Sequence, residues 1–317
     1  MSEEIELLVV VINYKTPGLV VDCINSMQEQ LSEQRRVVII DNFSNDGSVE
    51  ALRAWLADAQ PPYVEFVESP TNSGFSAGNN LGIRTRKAQY YLLTNSDTLI
   101  RPGAIEQLVE TAKQHPEAGL IGPRLEWPDA TPQISCFRFH SPISELIAAA
   151  NTAAITRIFH RWFVPVDVKD ELAEYEWVSF ACVLLRKEVV EQIGLMDEDY
   201  FLYYEDVDYS RMAYDAGWKV INNPAARVVH LRGGSSDVKA NQIKKSRQPR
   251  FVWESRSRYF AKHYGHAGLL LANLLWVMGA CLVTVRAWVS SKNSPILQGQ
   301  WRDIWTNFFA PLKPREK

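Results

Sequence analysis

The chain has 317 residues, which is long enough to bury a large core in one or two domains. Its four cysteines are widely spaced and form no CxxC pair, which argues against a structural zinc site or a disulfide scaffold and fits a reducing compartment. Charge is uneven: residues 239–317 carry 14 Lys and Arg against 3 Asp and Glu, a net charge of +11, which leaves −14 on residues 1–238. The basic end therefore predicts an anionic partner surface, either a membrane or a nucleic acid.

Short β-branched runs alternate with helical patterns through the first 125 residues. The predicted strands are Leu7–Ile12, Val37–Ile40, Val64–Val67 and Tyr90–Leu93, and the predicted helices are Pro17–Leu31, Ser48–Ala59, 77–87 and Ala104–His115. This alternation is typical of a mostly parallel sheet with crossover helices. Because ligands bind beyond the carboxyl ends of such strands, the polar residues that follow them are candidate site residues: Asn13, Tyr14, Asp41, Asn95 and Asp97.

The chain after residue 125 is less regular. Trp177–Leu185 reads as one strand, and Val207–Ala216 reads as a helix that Gly217 ends. Two further short strands are predicted at Val220–Asn222 and Val228–Leu231.

The last eighty residues change in character. Ala267–Val285 contains 19 residues without a charge, and as a helix it would be about 28 Å long, close to the lower limit for a membrane span. Trp301, Ile304, Trp305, Phe308 and Phe309 then follow the spacing of an amphipathic helix.

A polar, glycine-containing loop over residues 72–80 joins the third strand to the next helix. Gly74 and Gly78 would let the backbone approach a ligand, and the helix N-terminus would offer N–H groups to an anion. The spacing is neither a dinucleotide fingerprint nor a P-loop. The alternative is a polar loop with a helix cap and no ligand, which would account for Asn72 and Asn79 as well.

Asp41 closes the second strand, where its carboxylate can accept an N–H group from a nucleobase. The alternative is an Asx turn or a helix cap, although Asp46 and Ser48 are better placed for capping.

Asp97 ends a strand of neutral residues, where it can bind a hard divalent cation together with phosphate oxygens. The alternative for Asp97 is a turn residue, because Thr98 to Pro102 lead into a helix.

Three carboxylates lie within four residues at Glu205, Asp206 and Asp208, after Tyr203 and Tyr204. Such a cluster fits a cationic partner or a hydroxyl group that must be deprotonated. The alternative is that acids favour the N-terminus of the following helix, which would account for one of them. His230 is a lone histidine, and such residues are usually structural.

Five sequence blocks, in this order, resemble the inverting family-2 glycosyltransferases with the GT-A fold, in particular bacterial rhamnosyltransferases and galactofuranosyltransferases. The resemblance covers roughly Leu7–Leu231. The blocks are Val10–Tyr14, Val38–Ser44, Asn72–Asn80 with its two glycines, Leu93–Asp97, and Phe201–Asp208. One block alone is weak, and the five together in this order are specific.

The resemblance implies a role for each candidate residue. Asn13, Tyr14 and Asp41 would bind the nucleotide, and Asn72, Gly74, Gly78, Asn79 and Asn95 would line the donor pocket. Asp97 would bind Mg²⁺ or Mn²⁺ with help from His230, although Asn95 stands where the family's metal motif has its first Asp. Asp206 would be the catalytic base with Glu205 as its supporting neighbour, and Trp177 and Tyr204 would contact the acceptor.

The expected enzyme is an inverting, metal-dependent glycosyltransferase in cell-surface polysaccharide biosynthesis, with dTDP-L-rhamnose as its donor. Another donor, such as UDP-galactofuranose or a UDP-hexose, is the first alternative, and a non-catalytic sugar-nucleotide-binding protein is the second. A sugar-nucleotide pyrophosphorylase is disfavoured, since it would carry a Gly-rich, basic loop after the first strand.

The expected architecture is a GT-A domain over residues 1–238 and a basic, helical, membrane-associating region over residues 239–317. The alternative for the second region is a pair of helices packed against the catalytic domain. Within the domain, residues 1–125 would bind the nucleotide sugar and residues 126–238 the acceptor. The expected location is the cytoplasmic face of the bacterial inner membrane, with a glycan or lipid-linked acceptor and no nucleic-acid partner.

Overall fold

The computed structural model describes residues 4–232, 244, 246–290 and 296–315. Of the predicted basic region, Lys239, Lys245, Lys292 and Lys317 lie outside these ranges. The helices are α1 Pro17–Met27, α2 Ser48–Ala59, α3 Phe75–Thr85, α4 Ala104–Gln114, α5 Pro142–Ala150, α6 Ala153–Ile158, α7 Lys187–Ile193, α8 Glu205–Asp215, α9 Arg250–Val289 and α10 Gln300–Asp303. The strands are β1 Ile5–Asn13, β2 Arg35–Asp41, β3 Val64–Glu68, β4 Ala88–Asn95, β5 Thr98–Ile100, β6 Ala118–Glu126, β7 Cys136–Phe137, β8 Pro165–Val166, β9 Ala173–Tyr175, β10 Trp177–Val178, β11 Cys182–Arg186 and β12 Lys219–His230.

The chain forms two compact units. The first contains residues 1–137, 167–198 and 206–235, and the second contains 138–166, 199–205 and 236–317. The two units are defined by compactness and not by function. The predicted functional regions, with boundaries at residues 125 and 238, therefore stay a prediction.

The first unit is built on a mixed sheet in the order β3-β2-β1-β4-β11-β6-β12-β5, with β9 paired to β12. The four strands at one side, β3, β2, β1 and β4, are parallel. In β1 and in residues 37–40 of β2 the side chains are apolar on both faces, as helices packed on both sides of a parallel sheet require. The predicted strands and crossover helices of residues 5–114 are confirmed, with ends within a few residues of those expected.

The other side of the sheet is mostly antiparallel, and here two predictions were wrong. Trp177–Leu185 is not one strand: β10 and β11 are separated at residues 179–181, where Ala181 O turns to accept a hydrogen bond from Asn95 N. The two short strands predicted between residues 220 and 231 are one strand, β12, whose register shifts between Asn223 and Arg227.

Helix α3 packs unusually close to β1 because two of its residues are glycines. A Cβ atom on Gly82 would lie 2.3 Å from Cγ1 of Val10, and one on Gly78 would lie 3.2 Å from Cδ1 of Ile12. Both glycines therefore have a packing role in the structure.

The second unit contains a helical hairpin. Helix α9 is interrupted at Gly265, whose φ of 69° and ψ of −179° are not helical. Nη1 of Arg256 donates to Oδ1 of Asn273 at 2.8 Å, although 17 residues of straight helix would separate these two by about 25 Å. The chain therefore turns back at Gly265, and residues 266–289 form a second helical segment.

This second segment packs on α5 at close range. A Cβ atom on Gly279 would lie 2.7 Å from the backbone oxygen of Leu146 and 2.8 Å from N of Ala150. Trp276 and Ala280 join Ala149 and Ile304 in a small buried core. The predicted amphipathic helix over residues 301–309 was wrong: α10 ends at Asp303, turns follow, and the positive φ of 55° at Asn307 is incompatible with a helix.

The close contact of α3 with β1 gives a stability prediction. Gly82→Ala forces Val10 or the helix to move, and overpacking of this kind costs about 1–3 kcal/mol. We expect a lower urea midpoint with an unchanged slope in equilibrium unfolding.

Gly18→Ala is the matched control, since a Cβ atom there has nothing within 4 Å and Ala favours the helix. Equal midpoints for the two variants would contradict the packing role of Gly82.

Candidate active site

The carboxyl ends of β1, β2 and β4 meet at one edge of the sheet. Asn13 pairs in register with Asp41, and Ile12 pairs with Asn95. Nδ2 of Asn13 donates to Oδ1 of Asp41 at 2.7 Å, so two of the predicted nucleotide-binding residues are in direct contact. Across the same edge the hydroxyl groups of Thr16 and Ser96 lie 2.9 Å apart.

Asp41 is buried and already holds the loop that follows it. Its Oδ2 accepts a hydrogen bond from Ser44 N at 3.0 Å, and its Oδ1 accepts one from Ser44 Oγ at 2.5 Å. This is the Asx-type turn that the sequence analysis gave as the alternative role of Asp41. A contact between Asp41 and a nucleobase stays a prediction. Neither Asp46 nor Ser48 is the N-cap of α2, which is Gly47, but Oδ1 of Asp46 accepts from Ser48 N at 3.1 Å and so satisfies the first N–H group of the helix.

The loop at residues 72–80 is shaped by its own polar groups. Oδ1 of Asn72 accepts from Nδ2 of Asn42 at 3.1 Å and from Gly74 N at 3.2 Å, and Gly74 has a φ of 96° that favours glycine. Asn79 is fully buried, and its Nδ2 donates to Phe75 O at 3.0 Å. Its Oδ1 has no hydrogen-bond partner within the described part of the chain.

Asn80 makes long-range contacts that the sequence did not predict. Its Nδ2 donates to Met196 O at 2.8 Å and to Oε1 of Glu198 at 3.2 Å, and Met196 N donates back to its Oδ1 at 3.1 Å. Asn80 thus fixes residues 196–198 to α3. Nothing in the sequence pairs position 80 with position 196.

Asp97 and His230 are brought together by strand pairing. Thr98 begins β5, which runs antiparallel to the end of β12 and pairs with His230, and Leu231 N donates to Asp97 O at 2.9 Å. As a result Nε2 of His230 lies 3.5 Å from Oδ1 of Asp97, and both side chains are largely buried.

This pair fits a divalent cation. Adjacent ligands at right angles on one Mg²⁺ or Mn²⁺ ion would be about 3 Å apart, close to the observed separation. The other ring nitrogen of His230, Nδ1, is buried with no hydrogen-bond partner in the described residues. The same residues contain no cluster of three His, Cys, Asp or Glu side chains, so substrate oxygens or water would complete the ion's coordination.

Gln133 and Arg232 surround this pair and were not predicted. Nε2 of Gln133 donates to His230 O at 2.7 Å and to Glu126 O at 3.2 Å. Nε of Arg232 donates to Oε1 of Gln133, and its Nη2 donates to Ile134 O at 3.1 Å. Burial lowers the pKa of the Arg232 guanidinium, and the charge of Asp97 opposes part of that effect.

Asp206 lies in the first turn of α8, which begins directly after two strained residues. Tyr203 and Tyr204 have φ values of 71° and 68°, in a region that bulky side chains seldom occupy. Val207 N donates to Oδ1 of Asp206 at 2.9 Å, but burial is the larger effect and raises the pKa of Asp206 from 3.8 to about 6. A carboxylate with such a pKa is ionised at neutral pH and suited to accept a proton. Glu205 and Asp208 are buried.

Tyr204 belongs to an aromatic group within the second unit. Its ring centroid lies 5.1 Å from that of His140 and 5.5 Å from that of Tyr259. Burial lowers the pKa of His140 to about 4, so the imidazole is neutral at physiological pH. An acceptor contact by Tyr204 stays a prediction.

Trp177 and Tyr14 have packing contacts of their own. Trp177 is 8% exposed and stacks on Phe137 at 4.1 Å between ring centroids, which leaves little of its ring for an acceptor. Nζ of Lys15 lies 5.1 Å from the ring centroid of Tyr14. Ligand contacts by both residues stay predictions.

Comparison with known sequences gives the family. The sequence model of glycosyl transferase family 2 matches residues 8–173. The chain is 27% identical over 262 residues to an N-acetylglucosaminyl-diphospho-decaprenol L-rhamnosyltransferase of Mycobacterium tuberculosis, which covers 78% of this chain and 80% of that protein. It is 25% identical over 228 residues to the low-salt glycan biosynthesis hexosyltransferase Agl10 of Haloferax volcanii, covering 71% of this chain and 66% of the relative.

Solved structures agree on the fold. A mannosyltransferase from Pyrobaculum calidifontis in complex with GDP-Man and Mn²⁺ has a TM-score of 0.55 at 14% identity, covering 98% of this chain and 86% of that one. GalNAc-T7 with UDP, GalNAc and Mn²⁺ has a TM-score of 0.57 at 15% identity, covering 82% of this chain and 51% of that one. The predicted GT-A-like fold is thereby confirmed. The family match ends before Asp206 and His230, so their roles rest on other arguments.

Proposed function

Because the chain belongs to glycosyl transferase family 2, we propose that it transfers a sugar with inversion from a nucleotide sugar to a hydroxyl group of a glycan or lipid-linked acceptor. The observation that carries the proposal is the pairing of Asp97 with His230 beside the polar edge formed by Asn13, Asp41 and Asn95. A charged nucleotide diphosphate and its cation fit that combination of groups.

The proposed chemistry is direct displacement. Asp206 accepts the proton of the acceptor hydroxyl as that oxygen attacks the anomeric carbon, and the bond from this carbon to the diphosphate breaks on the opposite face. Asp97 and His230 hold Mg²⁺ or Mn²⁺, which when bound would neutralise charge on the departing diphosphate. The neighbouring Glu205 supports Asp206, and the buried Asp41 holds Asn13 for the nucleotide.

We further propose dTDP-L-rhamnose as the donor and cell-surface polysaccharide biosynthesis as the setting. The support is the rhamnosyltransferase of Mycobacterium tuberculosis, whose name also gives a lipid diphosphate as the carrier of its acceptor. The proposed location is the cytoplasmic face of the inner membrane, where such an acceptor would be reached.

The second segment of α9 supplies a surface for that membrane. The helix is long and apolar enough to cross a bilayer by length and composition, yet only 39% of its most apolar 18-residue window is buried. Leu271, Leu274, Met278, Leu282 and Val285 are 46–60% exposed and recur at helical spacing on one face. Together with the net charge of +11 over residues 239–317, this favours a helix lying in the interface of an anionic bilayer.

Asp206 should be required for transfer but not for donor binding. We expect wild-type protein to consume dTDP-L-rhamnose in a panel with UDP-galactofuranose and UDP-hexoses, and Asp206→Asn to be slower by about 10²–10⁴-fold. Wild-type activity should fall as pH drops below about 6, where the base becomes protonated.

Asp215→Asn is the matched control, since Asp215 is an exposed residue on the same helix. Because the pKa of Asp206 is raised from 3.8 to about 6 on folding, its ionisation lowers the stability of the folded state as pH rises from about 4 to about 6, and the full cost is present at pH 7. Asp206→Asn should therefore melt no lower than wild type at pH 7. Turnover by Asp206→Asn near the wild-type rate removes this residue from the mechanism.

Activity should require Mg²⁺ or Mn²⁺. Binding of Mn²⁺ in the presence of dTDP can be measured from the loss of the free-ion electron paramagnetic resonance signal. We expect the affinity for Mn²⁺ to fall at least about 10-fold in Asp97→Ala and in His230→Ala. Asp58→Ala, an exposed site, should bind as wild type. Full turnover in excess chelator contradicts the metal requirement, whereas loss only in Asp97→Ala rejects the histidine as a ligand.

The exposed face of α9 should hold the full-length protein on anionic vesicles. The triple variant Leu271→Glu, Leu274→Glu, Met278→Glu should lose flotation with phosphatidylglycerol vesicles, because each change places a charge on the proposed lipid face. The control variant Ile158→Glu, Leu172→Glu, Tyr214→Glu changes three residues of 40–70% exposure elsewhere.

Flotation of the triple variant at the wild-type level rejects this surface. A wild-type dimer that the triple variant disrupts, without flotation of either protein, would assign the same face to a second copy of the chain.

A further inference from the structure

Arg232 follows β12, two residues after His230, with which that strand ends. Leu231 N donates to Asp97 O at 2.9 Å, so the backbone immediately before Arg232 is fixed beside Asp97. The charge of Asp97 acts on the Arg232 guanidinium, which therefore lies within electrostatic range of that carboxylate. A cationic side chain is thus placed next to the pair of residues that would hold a divalent ion.

The guanidinium is held in a defined orientation. It donates through Nε to Gln133 and through Nη2 to Ile134 O, and its carbon lies 5.5 Å from the ring centroid of Trp127. Gln133 is 3% exposed and also donates to His230 O, so one buried amide orients both His230 and Arg232. Arg232 itself has a φ of 55°, which is uncommon for a residue with a long side chain.

These contacts use only part of the hydrogen-bonding capacity of the side chain. A guanidinium has five N–H groups in one plane. Two of them are taken by Gln133 and Ile134, and the remaining three have no protein partner among residues 4–232, 244, 246–290 and 296–315. Such a planar set of donors matches phosphate oxygens, which arginine binds through two parallel hydrogen bonds.

We infer that Arg232 binds the diphosphate of the nucleotide-sugar donor, beside the cation held by Asp97 and His230, and that Gln133 positions it. This inference rests on the proposed function and names a residue of the donor site. The alternative is a purely structural role, in which Arg232 only links the backbone at Ile134 to the end of β12 and binds no ligand. The lipid diphosphate of an acceptor is a second source of the same chemistry, and the position next to Asp97 favours the donor.

The test measures binding of dTDP or UDP, whichever the wild-type protein binds, and of the corresponding nucleoside by calorimetry with Mn²⁺ present. Arg232→Ala should lose about 10- to 100-fold in affinity for the nucleoside diphosphate, as expected for hydrogen bonds to a charged group. Affinity for the nucleoside should stay at the wild-type value. Arg232→Lys, which keeps the charge without the planar donors, should give an intermediate loss and covers the case in which the alanine variant fails to fold.

Arg161→Ala is the matched control. Arg161 is an exposed arginine stacked on an aromatic ring, 5.1 Å from the ring centroid of Trp162, and no ligand role is proposed for it. Its affinity for both probes should equal that of wild type.

Each other outcome has a distinct meaning. Unchanged nucleoside diphosphate affinity in the folded Arg232 variants overturns the inference, and so does an equal loss for nucleoside and nucleoside diphosphate, which indicates a structural role. Loss confined to farnesyl diphosphate, used as a probe for the lipid diphosphate, overturns the donor assignment. If wild-type protein binds neither dTDP nor UDP, it is the proposed function that fails.

Discussion

The antiparallel pairing of β5 with the end of β12 is the constraint on which the candidate site depends. Three residues of β5 pair with Val228, Val229 and His230, and the bond from Leu231 N to Asp97 O extends the pair beyond both strands. The pairing fixes the backbone on which Asp97, His230 and Arg232 are carried. Gln133 reinforces it from the side, because a buried amide that bonds two backbone oxygens cannot move without leaving them unpaired.

Much of the first unit could be predicted from the sequence because local pattern and tertiary environment agree there. The run Leu7–Ile12 is β-branched and buried on both faces, and helix Ser48–Ala59 was predicted with its observed ends. Prediction failed where a pattern had two meanings. The apolar run 177–185 continues through residues that leave the sheet, and the helical spacing of Trp301 to Phe309 extends across Asn307, whose positive φ does not fit a helix.

The candidate site divides in the same way. Asn13, Asp41 and Asp97 follow strands, and the rule that ligands bind at carboxyl ends is enough to select them. Asn80, Gln133 and Arg232 were missed because their roles come from partners far away in the chain, at residues 196–198 for Asn80 and at His230 for Gln133. His230 had support only from resemblance until the strand register brought it to Asp97. Gly78 was predicted to line the donor pocket, but its close packing against Ile12 explains the need for glycine there without a ligand.

The second unit also limits how the apolar segment of α9 can meet a membrane. Arg256 is 3% exposed and bonds both Oε2 of Glu145 at 2.9 Å and Oδ1 of Asn273 at 2.8 Å. If residues 266–289 left α5 to span a bilayer, Asn273 would enter the hydrocarbon without Arg256, and the Arg256–Glu145 pair would lose its third partner. Leaving a buried hydrogen-bond donor without its partner commonly costs about 1–3 kcal/mol. Gly279 is also packed against the backbone of α5. These contacts favour an arrangement in which the inner face of the segment stays on the protein and only its exposed apolar side chains contact lipid.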